Sequence, residues 1–147
     1  MTKAIYFDMD GTIVNLYAVP QWREQLDNCI STPYVVARPL VDMARLARYI
    51  HKVQALGYTV GIITWLSRQG DATYAAQVTQ IKQEWLRKHL PSVQFDEMHI
   101  VPYGTPKEQC AMHPRGILFD DNTKVLARWL GDAHMPQRIF EIMRGLR

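Results

Sequence analysis

Short apolar runs alternate along this chain with stretches of helical period, and that alternation narrows the possible folds more than any other feature. Ala4-Ile5-Tyr6-Phe7 reads as a buried strand, Leu40 to Leu56 as a helix and Tyr58 to Thr64 as a second strand. Strands that alternate with helices in this way assemble into a parallel α/β sheet. Leu40, Met43, Ala44, Ala47, Ile50 and Val53 fall on one stripe of the first long helix, with Pro39 suited to its first turn and Gly57 to its stop. A second helix is predicted from about Thr73 to His89, with Ile81, Trp85 and Leu86 inward and Pro91 ending it. Then follow a strand near 98–101, a brief helix from about Lys107 and the strand Gly116 to Asp120. Asp121 or Asn122 would cap a helix that reaches Leu130 and closes at Gly131, and Pro136 to Leu146 would form a last helix outside the sheet.

A chain of 147 residues, 48% of them hydrophobic, can bury one ordinary core, so residues 1–147 are expected to form a single domain. Residues 15–38 break the alternation: Tyr17, Trp22 and Tyr34 stand among polar residues, and Pro20 and Pro33 forbid a long helix. They read as a small insertion of one or two short helices after the first strand. No window approaches the roughly 18 apolar residues needed to span a bilayer, and Met1-Thr2-Lys3-Ala4 leads into a strand and not a signal-peptide core. The expectation is a soluble, cytoplasmic protein without a membrane partner. Cys29 and Cys110 lack disulfide-framework or zinc-ligand spacing and read as plain thiols. The net charge of +3 is dispersed and does not predict a nucleic-acid partner.

Chemistry concentrates where buried strands end in acid. One gives Phe7-Asp8-Met9-Asp10-Gly11-Thr12 and another Phe119-Asp120-Asp121. In an open parallel sheet, ligands gather outside the carboxyl ends of the strands, so both acidic groups can converge on one crevice. Four carboxylates brought together repel, and a hard divalent cation is the usual remedy. Mg²⁺ keeps few carboxylate ligands and accepts a substrate phosphate oxygen. Asp8 at the strand end can face a substrate, and Asp10, already in the turn, can face the leaving group. Gly11 permits that turn and Thr12 can fix it.

These residues resemble the motifs of the haloacid dehalogenase-like (HAD) superfamily. Asp8-Met9-Asp10-Gly11-Thr12 looks like motif I, Thr64 after Val60-Gly61-Ile62-Ile63 like motif II, Lys107 like the motif III lysine and Asp120-Asp121 like motif IV. The resemblance implies a Rossmann-like three-layer fold with a minimal helical cap at residues 15–38, similar in position to the larger cap of 5′(3′)-deoxyribonucleotidases. It implies Asp8 as nucleophile, Asp10 as general acid and base, and Thr64 and Lys107 as holders of the phosphoryl oxygens. Mg²⁺ would sit on Asp8, the Asp10 carbonyl and an acid of the Asp120-Asp121 pair, with Asp120 favoured. Gly11, Thr12, Trp22 and Arg38 complete the expected substrate contacts, and Arg68 is a further basic candidate.

The expected activity is Mg²⁺-dependent hydrolysis of a small phosphomonoester, a nucleotide being the preferred substrate. The alternatives are a 3′-phosphatase acting on nucleic-acid ends and a non-catalytic binding protein of the same fold. The sequence carries no signal for oligomeric state.

Overall fold

Ala4–Phe7 are buried without exception and form β1, the centre of the sheet, in a computed structural model that describes residues 2–147. Around it lie β2 (Thr59–Trp65), β3 (Glu97–Val101), β4 (Ile117–Phe119) and β5 (Asp132–His134) in the order β3-β2-β1-β4-β5, every neighbouring pair parallel. A strand covered on both faces has no use for polar alternation, which is why β1 reads as a continuous apolar run.

The period of two divides the sheet's side chains between two layers. Ile5, Phe7, Val60, Ile62, Ile117 and Phe119 face one layer, in which α3 (Met43–Ala55) contributes Leu46, Ile50 and Val53, and α4 (Ala72–His89) contributes Val78, Trp85 and Leu86. Ala4, Tyr6, Ile63 and Leu118 face the other, beside α5 (Lys107–Cys110) and α6 (Thr123–Arg128), where they pack with Ala111, Val125 and Trp129. The tail folds back to the first layer as a short 3-10 turn, Pro136–Arg138, and α7 (Ile139–Arg144), with Phe140 tilted 5.6 Å from Tyr49 of α3. This is the three-layer, Rossmann-like α/β arrangement expected from the alternation. No helix among the described residues is long and apolar enough to cross a membrane.

Residues 15–38 form the small helical insertion: a 3-10 turn at Leu16–Ala18, α1 (Trp22–Asp27) and α2 (Thr32–Val36). Its two ends are pinched together, since Asn15 N–H donates to the Arg38 carbonyl at 2.8 Å and Leu40 N–H to the Ile13 carbonyl at 2.8 Å. Helix α4 holds it from behind. Trp85 Nε1 donates to the Ala37 carbonyl at 2.8 Å, and Tyr74 Oη to the Ile30 carbonyl at 3.2 Å.

Four expectations change. The first long helix begins at Met43 behind Asp42, whose side chain accepts from Arg45 N–H at 3.0 Å, and Pro39 and Leu40 serve instead the closure of the insertion. The tail is helical only in pieces. Strand β5 went unread because Asp132-Ala133-His134 offers a single apolar residue, and it pairs as an edge through its backbone. Finally, α6 stops at Arg128, and Gly131 is not its left-handed stop.

Gly131 is required for a different reason: a Cβ there would collide with the backbone carbonyls of Arg115 and Gly116, against which the chain turns into β5. Gly57, at φ +95°, does serve as the stop of α3. Gly131→Ala should therefore cost about 2 kcal/mol, as overpacking against a rigid backbone does. Urea unfolding followed by circular dichroism checks this.

Candidate active site

The chain leaves β1 for β2 on one side and reaches β4 on the other only after two further crossovers, so a crevice opens between the carboxyl ends of β1 and β4. Asp8 and Asp120 are the residues that follow those two strands. Asp8 N–H still donates to the Phe119 carbonyl at 3.0 Å, which carries the ladder one step beyond both strands and fixes the acids side by side. By alternation both lie on the face of Tyr6 and Leu118.

From that same face Lys107, at the start of α5, places Nζ 2.9 Å from Asp8 Oδ1 and 2.7 Å from Asp120 Oδ2. The Trp65 ring lies 5.4 Å from this ammonium. Thr12 Oγ1 donates to Asp8 Oδ2 at 3.0 Å, so both oxygens of Asp8 are held. The turn that carries Thr12 folds Thr12, Ile13 and Val14 N–H onto the Met9 carbonyl, and Gly11 sits in it at φ +82°. A Cβ at Gly11 would run into the Asp121 carboxylate and the Tyr17 ring, so glycine is demanded twice over.

The opposite face carries a second ammonium. Lys82 of α4 donates to Asp10 Oδ2 and Thr64 Oγ1, each at 2.7 Å, and to the Trp65 carbonyl at 3.0 Å. Seven polar or charged side chains are buried among the described residues, and all but Glu97 belong to these two linked groups. Glu97 stands apart, accepting from Tyr6 Oη at 2.6 Å and paired with His99 at 2.8 Å.

Asp8, Asp120 and Asp121 each offer an oxygen within 4.8 Å of the others, a spacing that could hold one metal ion. The charge count agrees with that. Asp8, Asp10, Asp120 and Asp121 set against Lys82 and Lys107 leave an excess of two negative charges, the charge of one divalent cation. Without a cation the excess appears as proton uptake. Burial, the Asp8 charge and a hydrogen bond to Asp8 push Asp121 up to about 8, and burial with Asp8 pushes Asp120 up to about 6. Burial likewise raises Asp10, against the pull of Lys82. For Lys107, burial acts to lower the pKa, but the charges of Asp8 and Asp120 outweigh it and hold the ammonium above its ordinary value.

Above this floor opens a cavity of about 740 Å³. One wall is the insertion, where Tyr17 and Trp22 pack 4.8 Å apart and Arg23 lies over Trp22 at 5.4 Å. Lining the cavity as well, Trp65 and Tyr103 pack 5.0 Å apart with Arg68 over Tyr103 at 5.4 Å.

Asp8, Asp10, Lys107, Asp120, Asp121 and Trp22 thus meet in one cavity. Gly11 and Thr12 shape its floor from below. Two of the expected substrate contacts lie elsewhere. Arg38 is exposed and is not among the residues that line the cavity, its carbonyl accepting from Asn15 N–H where the insertion closes; Arg68 lines the cavity. Thr64 is fully buried and is not among the cavity-lining residues, because the alternation of β2 points it at α4, where Lys82 takes its hydroxyl. Sequence reasoning missed Trp65 and Tyr103. Trp65 was within reach, since the period that turns Thr64 toward α4 turns its neighbour toward Asp8. Lys82 was within reach too, since its place among Tyr74, Val78 and Trp85 on the inner stripe of α4 marks it as an inward lysine needing an acidic partner. No family model matches the chain, and no curated protein matches it.

The raised carboxyls make a prediction for the metal-free protein. Between about pH 4, where carboxyls titrate in the unfolded chain, and about pH 8, the folded state binds more protons than the unfolded one. Stability in chelator should therefore fall as pH rises from 5 to about 8, and Asp121→Asn should flatten that fall. Urea midpoints at several pH values, compared between wild type and variant, check it.

Proposed function

We propose that the chain is a Mg²⁺-dependent phosphomonoester hydrolase of the HAD type, working through an aspartyl-phosphate on Asp8. The observation that carries this reading is Asp8 at the switch point of the sheet, bridged to Asp120 by Lys107 and completing a three-carboxylate cluster with Asp121. The cluster suits Mg²⁺, held by Asp8, Asp120 and Asp121, and that ion would neutralise charge on the transferred phosphoryl group.

In the first step an Asp8 oxygen forms a bond to phosphorus while the bond to the leaving oxygen breaks, and Asp10 gives that oxygen its proton. In the second, Asp10, now a carboxylate, takes a proton from water as the water oxygen bonds to phosphorus. The Asp8–phosphorus bond breaks and inorganic phosphate leaves. Lys107 stays beside Asp8 through both steps, where its charge offsets that of the phosphoryl oxygens.

The walls support a substrate with a planar group. Tyr17 with Trp22 and Trp65 with Tyr103 line the cavity as two aromatic pairs on which a nucleobase could stack, and Arg23 and Arg68, each over one of those rings, add positive charge. A nucleoside monophosphate fits this best. The dispersed charge of +3 supplies no basic stripe for a nucleic-acid backbone.

Hydrolysis of 4-nitrophenyl phosphate should require Mg²⁺, stop on chelation and fall to background in Asp8→Asn; activity that survives Asp8→Asn would sink the nucleophile. Trp22→Ala should raise KM for nucleoside monophosphates roughly tenfold, the scale of one base–aromatic stack. KM for 4-nitrophenyl phosphate supplies the comparison.

A further inference from the structure

A lysine in the apolar stripe of a helix displaces a residue that would pack there without cost, so its placement needs a reason. Lys82 occupies the stripe between Val78 and Trp85 and is 2% exposed. An ammonium has three N–H donors, and all three are placed: on Asp10 Oδ2, Thr64 Oγ1 and the Trp65 carbonyl. The Tyr34 ring of the insertion closes over it at 5.2 Å.

The geometry of Asp10 gives the arrangement its meaning. Asp8 is held at both oxygens, by Lys107 and Thr12, as suits a group that must present one fixed orbital to phosphorus. Among the described residues the Asp10 side chain has one hydrogen-bond partner, Lys82, on Oδ2. Asp10 lines the cavity, and its Oδ1 has no hydrogen-bond partner among the described residues. One oxygen is pinned and the other is free to face a substrate. Thr64 is fully buried and absent from the cavity lining, and its hydroxyl oxygen accepts from the lysine.

We propose that Lys82 is a positioning residue for proton transfer: it anchors Asp10 through Oδ2 so that Oδ1 faces the leaving-group oxygen, and Thr64 acts through Lys82 and not on the phosphoryl group. This rests on the hydrolase reading above. It divides the site by sheet face. Lys107 serves the nucleophile and metal acids on one face, and Lys82 serves the acid–base carboxylate from the other. Strand β2 connects them, because consecutive residues Thr64 and Trp65 touch the two ammonium groups from opposite sides.

The test uses two substrates that differ in how much they need a proton on the leaving group. A 4-nitrophenolate leaves readily without one, whereas the alkoxide of a nucleoside monophosphate does not. Lys82→Met should lower kcat on the nucleoside monophosphate about 100-fold and on 4-nitrophenyl phosphate by less than about fivefold, the bias expected when general acid catalysis is lost. Asp10→Asn should show the same bias, and Lys82→Met/Asp10→Asn should be no slower than Asp10→Asn alone. Lys82→Arg should recover part of the loss, and Thr64→Val should shift the ratio of the two substrates in the same direction as Lys82→Met.

Equal loss on both substrates, or losses that multiply in the double variant, would overturn the proposal. A parallel measurement separates this from failure of the hydrolase reading and guards against misfolding. In urea, adding Asp10→Asn to Lys82→Met should restore part of the midpoint lost by Lys82→Met, because it removes a carboxylate left buried without its partner. No restoration would show that the pair is not coupled and would overturn the proposal. Wild-type protein inert toward every phosphomonoester, with the coupling intact, would instead overturn the hydrolase reading and the catalytic purpose assigned to Lys82 with it.

Discussion

Four carboxylates are crowded at one end of a buried sheet, and two buried ammonium groups are what make that crowding tolerable. Each ammonium is shared: Lys107 between Asp8 and Asp120, Lys82 between Asp10 and Thr64. Removing a single member would strand its partner in a medium that solvates charge poorly, so the cluster stands or falls as a unit. The two lysines come from different layers, α4 and α5, which also ties the helices of both faces to the end of the central strand. On the proposed reading, the remaining charge excess would be met by a divalent cation.

The insertion depends on the same framework. Its ends are pinched by main-chain hydrogen bonds at Asn15 and Leu40, and its far side is fastened to α4 through Trp85, Tyr74 and the Tyr34 ring above Lys82. Helix α4 thus carries one wall of the cavity and the lysine beneath its floor. Tyr17 and Trp22 line the cavity from the insertion, and of the other aromatic pair Trp65 ends the strand that carries Thr64 while Tyr103 follows β3. The aromatic rings that line the cavity are the physical basis for proposing a stacked base.

Much was legible in the sequence because it depends on local pattern. The buried strand of residues 4–7 and the long helices follow from hydrophobic period, the parallel sheet from their alternation, and the gathering of Asp8 and Asp120 from the rule that strand ends converge in such a sheet. Lys107 was found by its place in a motif order. Two features that escaped lack a one-dimensional signature. Strand β5 is held by backbone pairing alone, and Gly131 is fixed by contact with Arg115 and Gly116, 15 residues away in the nearer case.

Thr64 and Arg38 show where local pattern ends. Sequence by itself determined that an acidic crevice would form at the carboxyl end of a parallel sheet, with Asp8 at its centre, because burial and periodicity are written residue by residue. Only the tertiary structure decided which groups face the crevice and which face the helices behind it. It turned Thr64 to Lys82, gave Asp10 its single anchor and sent Arg38 out of the cavity for Arg68 to line it. The physical reason is that a buried charge must find its partner in space, and the partner of Asp10 lies 72 residues away on another element.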